Sequence, residues 1–134
     1  MWKFLCDSGT EKECLIRQLF GNHEMVGEIN EGDTLFLHNR ESDYLMGPFE
    51  AATDGTMNIV EHAWDGQFPY QVYVAWDDPV YGLPLDQVSD PDQTENPVRL
   101  PIRRGFQALS ESNTEQLLDA LQNHKLSQKI ITKR

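Results

Sequence analysis

Helical periodicity occurs at only two places in this 134-residue chain, one near each end. The stretch between them is a series of short apolar runs punctuated by Gly, Pro and Asp-Gly. Near the start, Thr10 and Glu13 have capping-box spacing, and Leu15, Ile16, Leu19 and Phe20 follow at helical intervals. Gly21 suits the left-handed position after a helix, so the pattern predicts a helix over Glu11–Phe20. Near the end, Ser112 and Glu115 form a second possible capping box, and Leu117, Leu118 and Leu121 give an apolar face to a helix over Thr114–Asn123. Between the two, Thr34–His38, Tyr44–Ala52 and Tyr70–Trp76 read as strands, and Trp2–Cys6 reads as another at the N-terminus. Gly47-Pro48 interrupts the second of these, which implies an edge or a bulge. Asp77–Asn96 reads as loops around a short segment near Leu83–Val88, and Val98–Arg103 alternates like a half-exposed strand. The order β–α–β–β–β–β–α predicts an α+β domain built on a small mixed, barrel-like sheet with flanking helices.

One domain's worth of sequence is long enough to bury a real core. No run of about 18 apolar residues occurs, and the N-terminal apolar run reaches Asp7 too soon for a signal-peptide core. Cys6 and Cys14 match no metal or redox spacing, so the expectation is free thiols in a cytoplasmic protein.

The formal net charge is −11, which argues against non-specific coating of nucleic acid because phosphates are repelled. The charge is uneven, however. Residues 1–98 carry 19 acids against 4 bases, whereas residues 99–134 carry 3 acids against 7 bases. Arg99, Arg103 and Arg104 lie close together, and Lys125, Lys129, Lys133 and Arg134 follow near the end. Two readings stay open: a solvated surface with a frayed basic tail, or a local phosphate-facing patch on an acidic domain.

Nucleophilic catalysis needs a thiol or hydroxyl with a base beside it, and no signature brings Cys6 or Cys14 together with His23, His38, His62 or His124. A reduced Cys on a strand or helix face is more often a small core residue. There is no metal-ligand spacing, no P-loop and no GxGxxG; Asp77-Asp78 reads as a solvated pair. The expectation is a binding protein, not an enzyme, with no cofactor and no metal. Trp64, Phe68 and Tyr70 sit in a segment broken by Gly66 and Pro69, where core periodicity explains aromatics poorly. They either plug one end of the sheet or wall a site that stacks on a flat base, each stack contributing about 1–3 kcal/mol.

A series of motifs in order resembles the DCD (development and cell death) domain. Glu13-Cys14-Leu15 and Arg17-Gln18-Leu19-Phe20-Gly21 match its helix and Leu-Phe-Gly motif. Gly32-Asp33-Thr34-Leu35-Phe36-Leu37 matches its Gly-Asp strand start, and Gly47-Pro48-Phe49-Glu50-Ala51 its Gly-x-Phe-Glu-Ala motif. Asp54-Gly55, Asn58-Ile59, Ala63-Trp64 and Phe68-Pro69-Tyr70-Gln71-Val72 follow. The resemblance spans about residues 2–122 and departs at Asn22-His23, where the family usually has Leu-Pro, and at Pro48. It places a single domain over residues 1–124, with residues 125–134 as a basic C-terminal tail.

The DCD domain is similar to the PUA-like group that includes YTH, EVE and ASCH domains. That resemblance implies a small β-barrel flanked by helices, with a pocket between the first strand, the first helix and the barrel. By position, the pocket residues are Cys6, Asp7, Ser8, Phe20 and Asn22, with Trp64 and Phe68 as aromatic walls; Arg99, Arg103 and Arg104 are the expected phosphate contacts. The expected function is recognition of RNA or a modified base, a single-stranded nucleic acid being the partner. The alternative is a protein–protein interaction module of the stress-response type; no membrane is involved in either. A small hydrolase or nuclease, as proposed for some ASCH relatives, ranks last.

Overall fold

The computed structural model of the chain describes residues 1–22, 28–77 and 79–131. His23, Asp78, Lys133 and Arg134, singled out above, lie outside the described residues. The strands are β1 (Trp2–Cys6), β2 (Leu19–Asn22), β3 (Thr34–Asn39), β4 (Tyr44–Ala51), β5 (Thr56–Met57), β6 (Tyr70–Ala75), β7 (Val80–Pro84), β8 (Gln107–Ala108) and β9 (Gln128–Ile131). The helices are α1 (Ser8–Arg17), α2 (Leu85–Val88) and α3 (Glu111–Asn123), with a short 3-10 turn over Ala63–Gly66. The strands form one curled sheet whose main path runs β2-β6-β4-β3-β1-β8; β7 pairs with β4, and β9 pairs with β7. The β1–β3 pair is parallel and the remaining described pairs are antiparallel. The domain is therefore α+β. Its path ends at β2 and β8, and no pairing among the described residues joins those ends into a closed barrel.

Both faces of the sheet are covered, which explains why β3 reads as a continuous apolar run. Leu35 and Leu37 face a core shared with Phe4, Cys6, Phe20, Phe49 and Val72. Phe36, one residue out of phase, joins Leu45, Leu83, Val88, Leu117 and Leu121 beneath α2 and α3. Each fully buried Leu or Phe contributes about 1.5–3 kcal/mol.

Pro48 occupies a break in the ladder, as a proline inside a strand must. The β3–β4 register shifts between Leu35 and Leu37, opposite Phe49 and Met46. On its other side β4 changes partner there, from β7 at Tyr44–Gly47 to β6 at Glu50–Ala51.

Several local expectations need correction, among them the reading of Asp77–Asn96 as loops around Leu83–Val88, since Val80–Pro84 is a strand paired with β4 and β9. The first helix starts and ends earlier than Glu11–Phe20. Asp7 is its N-cap, accepting from the Thr10 N–H at 2.9 Å, while the Asp7 N–H donates to Thr10 Oγ1 at 3.0 Å. Gln18, with φ 53°, supplies the left-handed C-cap in place of Gly21. Leu19 and Phe20 then turn into β2, because pairing with Tyr73 and Val72 buries both completely. The third helix likewise begins sooner, with Ser110 Oγ accepting from the Asn113 N–H at 3.0 Å, so Ser112 lies inside it. Finally, Val98–Arg103 is not a strand. Pro101 lacks a ladder donor, and side chains reach this backbone instead: Gln107 Nε2 donates to the Pro101 carbonyl at 3.1 Å and Lys3 Nζ to the Arg103 carbonyl at 2.6 Å.

Candidate functional site

Glycine at position 21 organises the site. A Cβ there would lie 2.6 Å from the Trp64 ring and 3.0 Å from Phe68 Cβ, so only Gly leaves room for the indole to approach β2 this closely. Trp64 and Asp65 have φ of 50° and 54°, and Gly66 has φ of 76°. A left-handed Trp is unusual and costs about 1–3 kcal/mol unless its surroundings hold it. Gln71, 1% exposed on β6, does the holding. Its Oε1 accepts from the Val60 N–H at 2.7 Å, and its Nε2 donates to the Val60 and Phe68 carbonyls, each at 3.0 Å. From α1, Glu13 Oε1 accepts from the Trp64 N–H at 3.3 Å. The Trp64 and Phe68 rings meet edge to face, 5.5 Å apart at 83°.

Between this turn, β1 and the start of α1 lies a cleft of about 450 Å³. Of the expected pocket residues, Cys6, Asp7, Asn22, Trp64 and Phe68 line it, and Arg104 borders it. Ser8 and Phe20 do not. The Ser8 N–H donates to Glu41 Oε1 at 2.9 Å, and Phe20 is wholly buried against Phe4 and Phe49. Arg99 and Arg103 line a different groove, which Arg104 also borders. Tyr70 is held in β6 opposite Asn22 and Met57 and is absent from the lining.

Sequence reasoning missed Arg40 and Phe106, which complete the wall. Arg40 follows a strand end and makes a 3.4 Å contact with Asp7 Oδ2. Phe106 follows the Arg103-Arg104-Gly105 run and stacks on Trp2 at 5.5 Å and edge-on to Phe4 at 4.9 Å. The aromatic directly after a basic run was the available signal.

Burial, with the neighbouring acids Glu13 and Glu11 adding to it, pushes the Cys14 thiol up to about 12, and burial together with Cys14 raises Cys6 as well, so both thiols stay protonated and un-nucleophilic. The Thr10 N–H bond at the helix start holds the Asp7 carboxyl below its usual range, keeping it an acceptor. Two donors remain. Asn22 Nδ2 and Trp64 Nε1 are buried and have no hydrogen-bond partner among the described residues. Among the described residues no group of His, Cys, Asp and Glu is arranged to hold a metal ion. No helix of the described chain is long and apolar enough to cross a membrane.

The family profile described as "Development and cell death domain" matches residues 2–119. The chain belongs to the development and cell death domain family. Among its relatives, the B2 protein of Daucus carota is 40% identical over 82 residues, covering 53% of this chain and 40% of that protein. The DCD domain-containing protein NRP-B of Glycine max is also 40% identical over 82 residues, covering 53% of this chain and 25% of its own length. The DCD domain-containing protein NRP of Arabidopsis thaliana is 38% identical over 80 residues, covering 52% and 23%. This DCD chain thus spans well under two thirds of the length of these relatives. The matched range contains every residue of the cleft named here.

Proposed function

We propose that this DCD domain is a binding module that takes a nucleobase, plain or modified, of a single-stranded nucleic acid into the cleft beside Trp64. The observation that carries the reading is that Asn22 and Trp64, whose Nδ2 and Nε1 are buried donors with no partner among the described residues, line one cleft together with Phe68 and Phe106. A buried donor left unmade costs about 1–3 kcal/mol, so a ligand bringing acceptors to both gains what the empty cleft forgoes. A base edge carries such acceptors on a flat ring that suits an aromatic wall. Asp7 accepts from the ring's own N–H groups, and Arg104 meets the adjoining phosphate. Such a site admits one splayed base, in the manner of EVE and YTH relatives, and is compatible with a −11 chain that repels nucleic acid elsewhere. Two free thiols suit a reducing compartment, the cytoplasm.

The test is fluorescence anisotropy at low salt with labelled single-stranded RNA and DNA, plain and base-modified, against the wild type, Trp64→Ala and Asn22→Ala. Binding by the wild type that falls at least tenfold in both variants is the expected result. Absence of binding, or binding indifferent to Trp64→Ala, overturns the reading. Co-purification of a stoichiometric protein partner without nucleic acid would then favour the protein-interaction alternative.

A further inference from the structure

A second groove, of about 250 Å³, lies beside α2 under the loop that carries the arginines. Arg99, Arg103 and Arg104 line it, all three are exposed, and none forms an ion pair among the described residues. The loop is anchored. Gln107, 4% exposed, accepts the Arg103 N–H on Oε1 at 3.0 Å and donates to the Pro101 carbonyl; the Val98 N–H donates to the Val88 carbonyl at 2.8 Å. Beneath the loop sits Lys3, fully buried, with its Nζ on the Arg103 carbonyl and no carboxylate partner among the described residues. Burial, and then the Arg103 charge, lower its pKa to about 8. A buried cation without a counter-charge is expensive, and an anion arriving above it offsets that expense.

His38 adds a requirement of a different kind. The β1–β3 register sets Leu5 opposite His38 and Lys3 opposite Phe36, so Lys3 and His38 share one face of the sheet. His38 is 8% exposed, lines the groove, and its Nε2 lies 2.8 Å from Asp43 Oδ1. A carboxylate only accepts, so Nε2 carries the proton and Nδ1 of the neutral ring is an acceptor. Burial is the largest cause of a lowered His38 pKa, with the Asp43 hydrogen bond opposing it. That Nδ1 is buried and has no partner among the described residues. An occupant that brings negative charge for the arginines and a hydrogen-bond donor for His38 would answer both.

We propose that this groove binds the ribose-phosphate unit of RNA, with the phosphate on Arg99 and Arg103 and the ribose hydroxyl donating to His38 Nδ1. A 2′-hydroxyl beside a phosphate brings both requirements, and its absence is what separates DNA from RNA. Arg104 borders both this groove and the base cleft, so a strand passing it reaches the two sites in succession. The choice of RNA as partner rests on the base-binding reading above; the groove itself rests on different residues.

Two measurements test the groove. The first compares single-stranded RNA and DNA of one sequence across a salt series. RNA should bind about tenfold more tightly, His38→Gln should remove that preference, and the exposed double variant Arg99→Gln/Arg103→Gln should weaken both and reduce the salt slope by about 0.7 per lost phosphate contact. Equal affinity for RNA and DNA, or a preference that survives His38→Gln in a folded variant, overturns the proposal. An unchanged salt slope in the arginine variant does so as well. The second measurement follows backbone amide NMR shifts of residues 99–105 with ribose 5-phosphate and with 2-deoxyribose 5-phosphate. It separates the two readings. Saturable shifts that are stronger for ribose 5-phosphate and persist in Trp64→Ala support the groove even where no base binds the cleft. No shift with either sugar phosphate overturns the groove and leaves the cleft standing.

Discussion

Replacing Gln71 by Leu tests whether the left-handed turn at Trp64 is held by one side chain. Leucine keeps nearly the same volume, so the packing loss is small, and the perturbation is the removal of three hydrogen bonds at 2.7, 3.0 and 3.0 Å. Each is worth about 1 kcal/mol net, and the Val60 N–H and the Val60 and Phe68 carbonyls are left to find water, so the expected loss is about 2–4 kcal/mol. With a urea dependence of about 1.5–2 kcal/mol/M, the unfolding midpoint falls by roughly 1–2.7 M. The turn, with positive φ at Trp64, Asp65 and Gly66, should loosen first. Urea unfolding followed by circular dichroism gives the global loss. Amide hydrogen exchange at Val60 and fluorine NMR of labelled Trp64 give the local one. A loss below about 1 kcal/mol, or an unchanged Trp64 resonance, would refute the assignment of Gln71 as the clamp.

Gly21→Ala places a Cβ 2.6 Å from the Trp64 ring, so the indole must move; about 1–3 kcal/mol of overpacking and a shifted Trp64 signal are expected by urea unfolding and NMR. Lys3→Met removes a buried cation whose pKa is lowered to about 8 in the folded chain. Between about pH 8 and the ordinary lysine value the unfolded chain binds more protons than the folded one, so the wild type gains stability from this group as pH rises through that window. The variant lacks that gain, and paired urea titrations at pH 7.5 and pH 10 should show the wild type improving relative to it.

Much of the cleft was legible, but by two routes. The family resemblance carried Cys6, Asp7 and Asn22 over by position, whereas Trp64 and Phe68 stood out because they lie in a Gly- and Pro-broken segment where no core period accounts for them. Phe20 was misplaced because helical spacing and strand pairing both accept a Leu-Phe pair; the partner strand Tyr73–Val72 decides, and it lies some fifty residues away. The three arginines were read as one patch because they are close in sequence. Gly105, with φ of 75°, and the Lys3 and Gln107 anchors set the loop so that Arg99 and Arg103 line the groove and only Arg104 also reaches the cleft.

By itself the sequence determined the α+β class, the family, the aromatic strand read as Tyr70–Trp76, which ends one residue sooner at Ala75, and the concentration of positive charge in the last quarter. These follow from local periodicity, turn chemistry and motif order, which act over a few residues at a time. Tertiary structure alone decided that the sheet curls without a pairing between β2 and β8, that Gln128–Ile131 in the basic tail forms a strand on β7, and that Lys3 and His38 share a buried face. Each of these depends on which strands lie side by side and in what register. Hydrogen bonds and charges that meet only across such pairings leave no periodic trace in either strand.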